Sequence, residues 1–345
     1  MSKNWLLVNS TDLAQWADRR DAQGTLPKLV RRLVTATVKQ ITHVSFRADE
    51  GVQLSGWDGV VRAAAGNAFV PTGCSAWEMG CSQDPKQKAD GDYKTRWDDP
   101  LDQDPKDTTF IFVTPRRWSG KGDWAAEKRK EGIWNDVRAY DAEDLETWLE
   151  QAPVVHLWLS SLLGKNPGHA EDLLSSSANW SEATSPPVSD DLVRAGRDDA
   201  VKRVLDWYRA APSVLEVQAQ TIDEAIALCA AALRTLPPAE ADAAFGRAVV
   251  VKASDSWQML AMAPHPLLLM PTFVDRGRVP TAVNDGHHVL IPLGRDEHSE
   301  NAVEVPRLHR AEAKKALAAM GVDDGKVERL AALAHASLNA CRRKL

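Results

Sequence analysis

Cysteine is scarce in this sequence. The 345 residues hold four, Cys74, Cys81, Cys229 and Cys341, and no two of them form a C-x-x-C pair. That pattern excludes a disulfide framework and a structural zinc site, and it is what reduced thiols of a cytoplasmic protein would show. Long apolar runs are missing too. The longest apolar region, residues 259–274, is interrupted by prolines and His265 and is too short to cross a bilayer, so no membrane partner is expected. The opening stretch MSKNWLLVNSTDLAQW has too short an apolar run for a secretory signal. Positive charge is not in excess: 42 Lys and Arg against 48 Asp and Glu leave a formal net charge of −6. A protein that coats nucleic acid through its overall field is therefore excluded, and any such contact needs a local patch. Tyr and Phe number only 3 and 6, yet there are 13 Trp. Ten of these, Trp5 through Trp158, fall in the first 160 residues, a shift in composition that predicts two domains.

What is present is concentrated in residues 56–96. Asp58 sits in Gly56-Trp57-Asp58-Gly59, ahead of Val60-Val61, which reads as a tight turn leading into a strand. Glu78 lies in Ser75-Ala76-Trp77-Glu78-Met79-Gly80. Alternation along a strand sends Trp77, Met79 and Cys81 one way and Ala76, Glu78, Gly80 and Ser82 the other, so only small residues flank the carboxylate. Asp84-Pro85 marks a helix start, Asp as N-cap and Pro in the first helical position. Lys88, Asp92 and Arg96 follow at i, i+4 and i+8 and share one face of that helix. Taken singly, a Gly-x-Asp-Gly is an ordinary turn and a strand Glu an ordinary solvated side chain. Their order, followed by the lysine-bearing helix, suits hard oxygen ligation of Mg²⁺ or Mn²⁺ beside an ammonium group.

This order of elements resembles the PD-(D/E)XK nuclease superfamily, whose core runs helix, strand, Asp-bearing strand, Glu-bearing strand, helix, strand. Within it, the stretch is similar to restriction-endonuclease-like domains at the N-terminus of bacterial defence proteins. The resemblance covers most of residues 1–163. It implies an α/β/α core with a mixed sheet and a metal-dependent endonuclease acting on DNA in anti-phage or anti-plasmid defence. Asp58, Glu78 and Lys88 would be its catalytic residues, and Asp58, Glu78 and Glu50 its ligands to Mg²⁺ or Mn²⁺. One departure stands out. The usual Glu-x-Lys reads Glu78-Met79-Gly80 here, and Lys88, or failing it Lys86, would take the lysine's place from the helix. The competing expectation is a catalytically decayed scaffold that only binds nucleic acid or protein.

In chain order, residues 11–16 and 26–38 read as helices, 41–48 as the first strand, and 108–118 as a strand whose continuous apolar run, Phe110–Val113, is buried on both faces. The sequence Pro115-Arg116-Arg117-Trp118 at the end of that strand reads equally as a ligand contact or as a turn with one packing Trp. Residues 164–189, rich in Ser, Pro, Gly and Asn, read as a linker.

From residue 190 to 345 strands alternate with helices: strands near 213–219, 247–253, 266–273 and 287–294, then helices over 310–320 and 323–345. The rhythm predicts a mainly parallel sheet, and it resembles a STAND or AAA+-type P-loop-like module with a helical lid. A phosphate loop needs G-x-x-x-x-G-K-[ST], but Gln220-Thr221-Ile222-Asp223-Glu224 follows the first strand, and Lys252 stands where a metal-binding acid would. A degenerate module that binds no ATP is expected, one that senses a signal, oligomerises or docks a protein partner. Its last helix carries an apolar face (Val327, Leu330, Ala334 and Leu338, with Leu333 at its edge) that needs a cover, from the lid or, failing that, from a C-terminal extension or a second copy of the chain. His287-His288 and His298 fit no metal-ligand spacing and read as loop or core histidines.

Overall fold

The computed structural model describes residues 7–47, 56–165, 168–273, 276–297 and 299–345. The chain is mixed α/β and divides into two compact units, Met1–Pro167 and Gly168–Leu345.

The first unit runs α1 (Ser10–Trp16), α2 (Ala22–Thr37), β1 (Gln40–Phe46), β2 (Gly59–Ala65), β3 (Gly73–Met79), α3 (Pro85–Asp98), β4 (Thr108–Val113), α4 (Lys121–Lys130), β5 (Asp136–Tyr140), α5 (Ala142–Gln151) and α6 (Pro153–Leu162). Its sheet has the order β1-β2-β3-β4-β5. β1, β2 and β3 pair antiparallel, and β3, β4 and β5 pair parallel. The switch follows from the connections: the β2–β3 link is short enough for a hairpin, whereas α3 and α4 supply the crossovers that parallel strands need. Every residue of β4 is buried, as a central strand requires. Ile111 and Val113 face a core built with Leu29, Leu33, Leu145 and Trp148 from α2 and α5. Phe110 and Phe112 face the other way, into Tyr93, Trp118, Trp124 and Trp134. The tryptophans are thus spent on both sides of one sheet. Each large apolar side chain so buried is worth about 1.5–3 kcal/mol.

Several boundaries differ from those expected. Asn9 caps α1, with Asp12 as the reciprocal partner of a capping box. α2 begins at Ala22, so Pro27 lies inside it.

The second unit runs β6 (Ala170–Asp172), α7 (Leu173–Glu182), α8 (Asp190–Arg194), α9 (Asp198–Arg209), β7 (Val214–Gln218), α10 (Ile222–Leu233), α11 (Pro238–Phe245), β8 (Ala248–Val251), α12 (Ser254–Leu260), β9 (Leu268–Pro271), α13 (Val279–Asn284), β10 (His288–Leu293), β11 (Val303–Glu304), α14 (Arg310–Ala319), α15 (Asp324–Ala336) and α16 (Leu338–Arg342). The sheet order is β11-β7-β10-β9-β8-β6. All pairs are parallel except the last, where β6 lies antiparallel on β8.

The linker expected over residues 164–189 is corrected by this topology. β6 is an edge strand of the sheet, Asp172 caps α7 by accepting from the Ser175 amide, and Leu173 is buried in the core. Small polar residues here mark a short edge strand and a polar helix, not a flexible tether. The apolar face of the last helix, expected to need a cover, finds one within the unit. Leu330, Ala334 and Leu338 are buried with Leu308, Leu317 and Leu228, and Val327 and Leu333 are partly buried against them. No helix among the described residues is long and apolar enough to cross a membrane.

Candidate active site

Asp58 is the last residue before β2, and Glu78 is the next-to-last of β3. The β2–β3 register pairs Gly59 with Trp77, so one further step sets Asp58 beside Glu78 on the same face of the sheet. The turn before Asp58 depends on Gly56, whose φ is +137° and whose missing Cβ would stand 2.5 Å from the Arg47 guanidinium. Trp57, buried in the aromatic core, anchors the same turn. Asp58 Oδ2 accepts a 2.7 Å hydrogen bond from the Met79 amide, which ties the two strands together at the carboxylates.

α3 supplies the rest. Asp84 caps it by accepting from the Gln87 amide, and Pro85 occupies its first turn, as expected. Ala89 and Tyr93 pack it down, which turns Lys88, Asp92 and Arg96 towards the strand ends. Arg96 Nε donates to Glu78 Oε1 and its terminal nitrogen donates to the Gly56 carbonyl, while the guanidinium lies 5.0 Å over the Trp57 ring. Lys88 Nζ donates to Asp92 Oδ1 at 2.6 Å. The lysine stem crosses directly over Gly80: a Cβ at that residue would stand 2.7 Å from Lys88 Cγ and 3.2 Å from Cε. Glycine at 80 is what lets the stem through.

The electrostatics follow from crowding. Burial, then the neighbouring Asp58 charge, pushes the Glu78 carboxyl up to about 8, with Arg96 offsetting part of the effect. Burial also raises Asp58, against the Met79 amide and Lys88, with Asp92 adding to the rise and a hydrogen bond from Glu78 opposing it. Asp92 is raised by burial against the pull of Lys88 and Arg96. Its Oδ2 is buried and accepts no hydrogen bond. Three carboxylates therefore face two cations, and near neutral pH the Glu78 proton relieves the imbalance.

That donor set fits a hard divalent cation: carboxylate oxygens, an orphaned buried Oδ2, and a proton held where positive charge is short. Among the described residues, however, no group of three or more His, Cys, Asp or Glu side chains stands in ligand geometry. Glu50, expected as a third ligand, lies outside the described residues.

Other expected positions separate from this cluster. Lys86 Nζ pairs with Asp90 at 2.7 Å on an exposed side of α3. Arg116 donates to the Cys81 carbonyl and pairs with Asp18, joining the chain just after β3 to that just after α1, while Arg117 donates to the Ser10 and Thr11 hydroxyls at the start of α1. His287 is a core residue: its Nδ1 accepts from the Leu267 amide and its Nε2 meets the Ala261 carbonyl. His298 lies outside the described residues. The roles of Asp92 and Arg96 went unassigned in the sequence, although their i+4 and i+8 spacing from Lys88 had placed them on the right face.

In the second unit the helix after β7 starts with Thr221 as cap and Asp223 and Glu224 in its first turn. Glu224 forms a buried ion pair with Arg197 there. No protein-family model and no curated protein matches the chain.

Proposed function

We propose that the first unit is a metal-dependent nuclease domain of the PD-(D/E)XK, restriction-endonuclease-like kind, hydrolysing phosphodiesters with DNA as its substrate. The observation that carries this reading is the passage of Lys88 over Gly80. It sets a helix lysine beside the position where a Glu-x-Lys motif would begin one, next to the adjacent carboxylates of Asp58 and Glu78. The element order α2-β1-β2-β3-α3-β4, with an antiparallel hairpin leading into a parallel pair, supports the same reading.

Asp58 and Glu78 would hold Mg²⁺ or Mn²⁺, with Asp92 beside them. Bound there, the ion would make its water more acidic and offset charge on the phosphate. Asp58 is held in place by the Met79 amide and Glu78 by Arg96, so both carboxylates are preorganised. Lys88 sits on the same face and would orient the attacking water or neutralise charge building on the phosphate. Asp92 restrains its ammonium.

The second unit is then a degenerate STAND or AAA+-like module that regulates the nuclease in bacterial defence without hydrolysing nucleotide. The acidic, capped start of α10 supports that reading, since Asp223 and Glu224 would repel a phosphate.

The test is incubation of the full chain with supercoiled, linear and single-stranded DNA, with Mg²⁺ or Mn²⁺ and with EDTA. Cleavage that needs the metal and disappears in Asp58→Ala supports the proposal. A second reading, a binding scaffold without catalysis, has one observation behind it: Arg96 already neutralises one oxygen of Glu78. Wild-type protein that binds nucleic acid but cuts none of these substrates with either ion would favour it.

A further inference from the structure

Among the described residues, α3 and α4 cover β3, β4 and β5 on the candidate site's face of the first sheet, whereas His43, Ser45 and Arg62 on the same face of β1 and β2 are exposed. The β1–β2 register pairs His43 with Arg62 and Ser45 with Val60, and the Arg47 amide donates to the Asp58 carbonyl at 2.9 Å one step further on. With the β2–β3 register, three rows cross the open face: His43, Arg62 and Cys74; Ser45, Val60 and Ala76; and Arg47, Asp58 and Glu78. A groove of about 530 Å³ lies along the first two rows and reaches Arg47, the neighbour of Asp58. Its strand side carries Thr42, His43, Ser45, Arg47 and Arg62, and its far wall is the loop Leu101-Asp102-Gln103.

Three features give the groove an occupant. Its charge runs against that of the chain: among its described lining residues Arg47 and Arg62, with His43 beside them, meet one acid, Asp102, in a protein of net charge −6. Hydroxyls of Thr42 and Ser45 stand between the basic residues, a mixture that suits phosphate and sugar oxygens. The far wall shows Leu101 to solvent at 46% exposure, although its φ of +55° lies in the left-handed region that disfavours a branched side chain. Neither burial nor backbone ease accounts for a leucine there, and apolar surface opposite a basic strand face is what an unstacked base would lie against. The groove's volume suits a mononucleotide-sized ligand and is far too small for a duplex.

Building on the nuclease reading, we propose that this groove holds a single polynucleotide strand and leads it past Arg47 to Asp58 and Glu78, so that the unit acts on unpaired strands. Phosphates lie along Arg62, His43 and Arg47, and a base packs against Leu101 and Val60.

The test measures binding in EDTA, where nothing is cut. Fluorescence anisotropy of the full chain is read with a labelled oligothymidylate, the matching ribo-oligomer and a hairpin duplex. The single strand is expected to bind at least about tenfold more tightly than the duplex, and the two oligomers identify the preferred sugar. Arg62→Glu should weaken single-strand binding by about tenfold or more and lower its salt dependence. Leu101→Gly should raise the melting temperature, because the backbone strain is relieved, while weakening single-strand binding; a merely structural leucine would leave binding unchanged. Duplex bound as tightly as single strand, or single-strand affinity indifferent to both substitutions, would overturn the proposal. The two readings also fail separately. Single-strand binding through Arg62 with no cleavage when metal is added removes the nuclease and keeps the groove; duplex cleavage untouched by Arg62→Glu does the reverse.

Discussion

Each unit buries a glutamate against an arginine, and the two pairs differ in their company. In the second unit Arg197 and Glu224 are 2% and 1% exposed. Arg197 also donates to the Pro306 and Val193 carbonyls, so one base meets one acid and two backbone oxygens. In the first unit Arg96 and Glu78 are 12% and 6% exposed. Around them stand Asp58, Asp92 and Lys88, three acids to two bases. The first arrangement balances and reads as a clasp joining the segment before α9 to the start of α10. The second is short of one positive charge. An uncompensated carboxylate near the surface end of a strand, more than the presence of an ion pair, is what makes the first cluster a candidate site and the Arg197–Glu224 pair a staple.

The largest expected effect is on catalysis. Asp58→Ala should lower metal-dependent cleavage by roughly 10³-fold or more, measured as initial rates on single-stranded DNA, because the proposed metal would lose a ligand charge. Lys88→Ala should be comparably damaging, and moving the lysine back to the strand in a Lys88→Ala, Gly80→Lys double variant should recover part of the rate. Recovery would show that what matters is an ammonium over residue 80, whichever element carries it.

Stability should separate the pairs in the opposite sense. Arg197→Ala strands a buried carboxylate and should cost about 3–5 kcal/mol in urea unfolding. Glu78→Gln should cost little near neutral pH, since Glu78 there already carries a proton. Equal costs for the two would erase the distinction drawn between them.

A third effect is on pH dependence. The folded Glu78 titrates near 8, above its ordinary value of 4.5, so the folded state holds a proton that the unfolded chain gives up first. Its contribution is therefore present at low pH and lost as pH rises from about 4.5 to about 8. The steepest slope is about 1.4 kcal/mol per pH unit, and the raised Asp58 and Asp92 act in the same direction. Urea midpoints across that window should fall for wild type without added metal and flatten in Glu78→Gln. The smallest effect is expected from Lys86→Ala, which should leave the cleavage rate unchanged because its exposed pair with Asp90 points away from the cluster.

Much of this was legible in the sequence, for identifiable reasons. The Asp84-Pro85 cap, the burial of β4 on both faces and the opposite facing of Trp77 and Glu78 all come from local rules of capping and alternation. Other features depend on partners far away in the chain. Nothing near Arg96 says that it reaches back to Glu78 and the Gly56 carbonyl, and nothing near Gly80 says that a lysine stem will lie across it. β6 and α7 were hidden because a three-residue edge strand and a serine-rich helix carry little apolar periodicity. Gly196, whose φ is +71°, separates α8 from α9, and the last helix, expected unbroken over 323–345, breaks at Ser337, which is extended and caps α16. Both breaks are set by packing that periodicity alone does not register.

The proposed function stands on the claim that the Asp58–Glu78 cluster binds a divalent cation. Titration calorimetry of Mn²⁺ into the full chain near neutral pH, repeated in buffers of different ionisation enthalpy, reads that claim directly. Saturable binding is expected, with proton release that diminishes above pH 8, and both should be lost in Asp58→Ala. Absence of binding in the wild type, or binding of equal strength in Asp58→Ala, would contradict it.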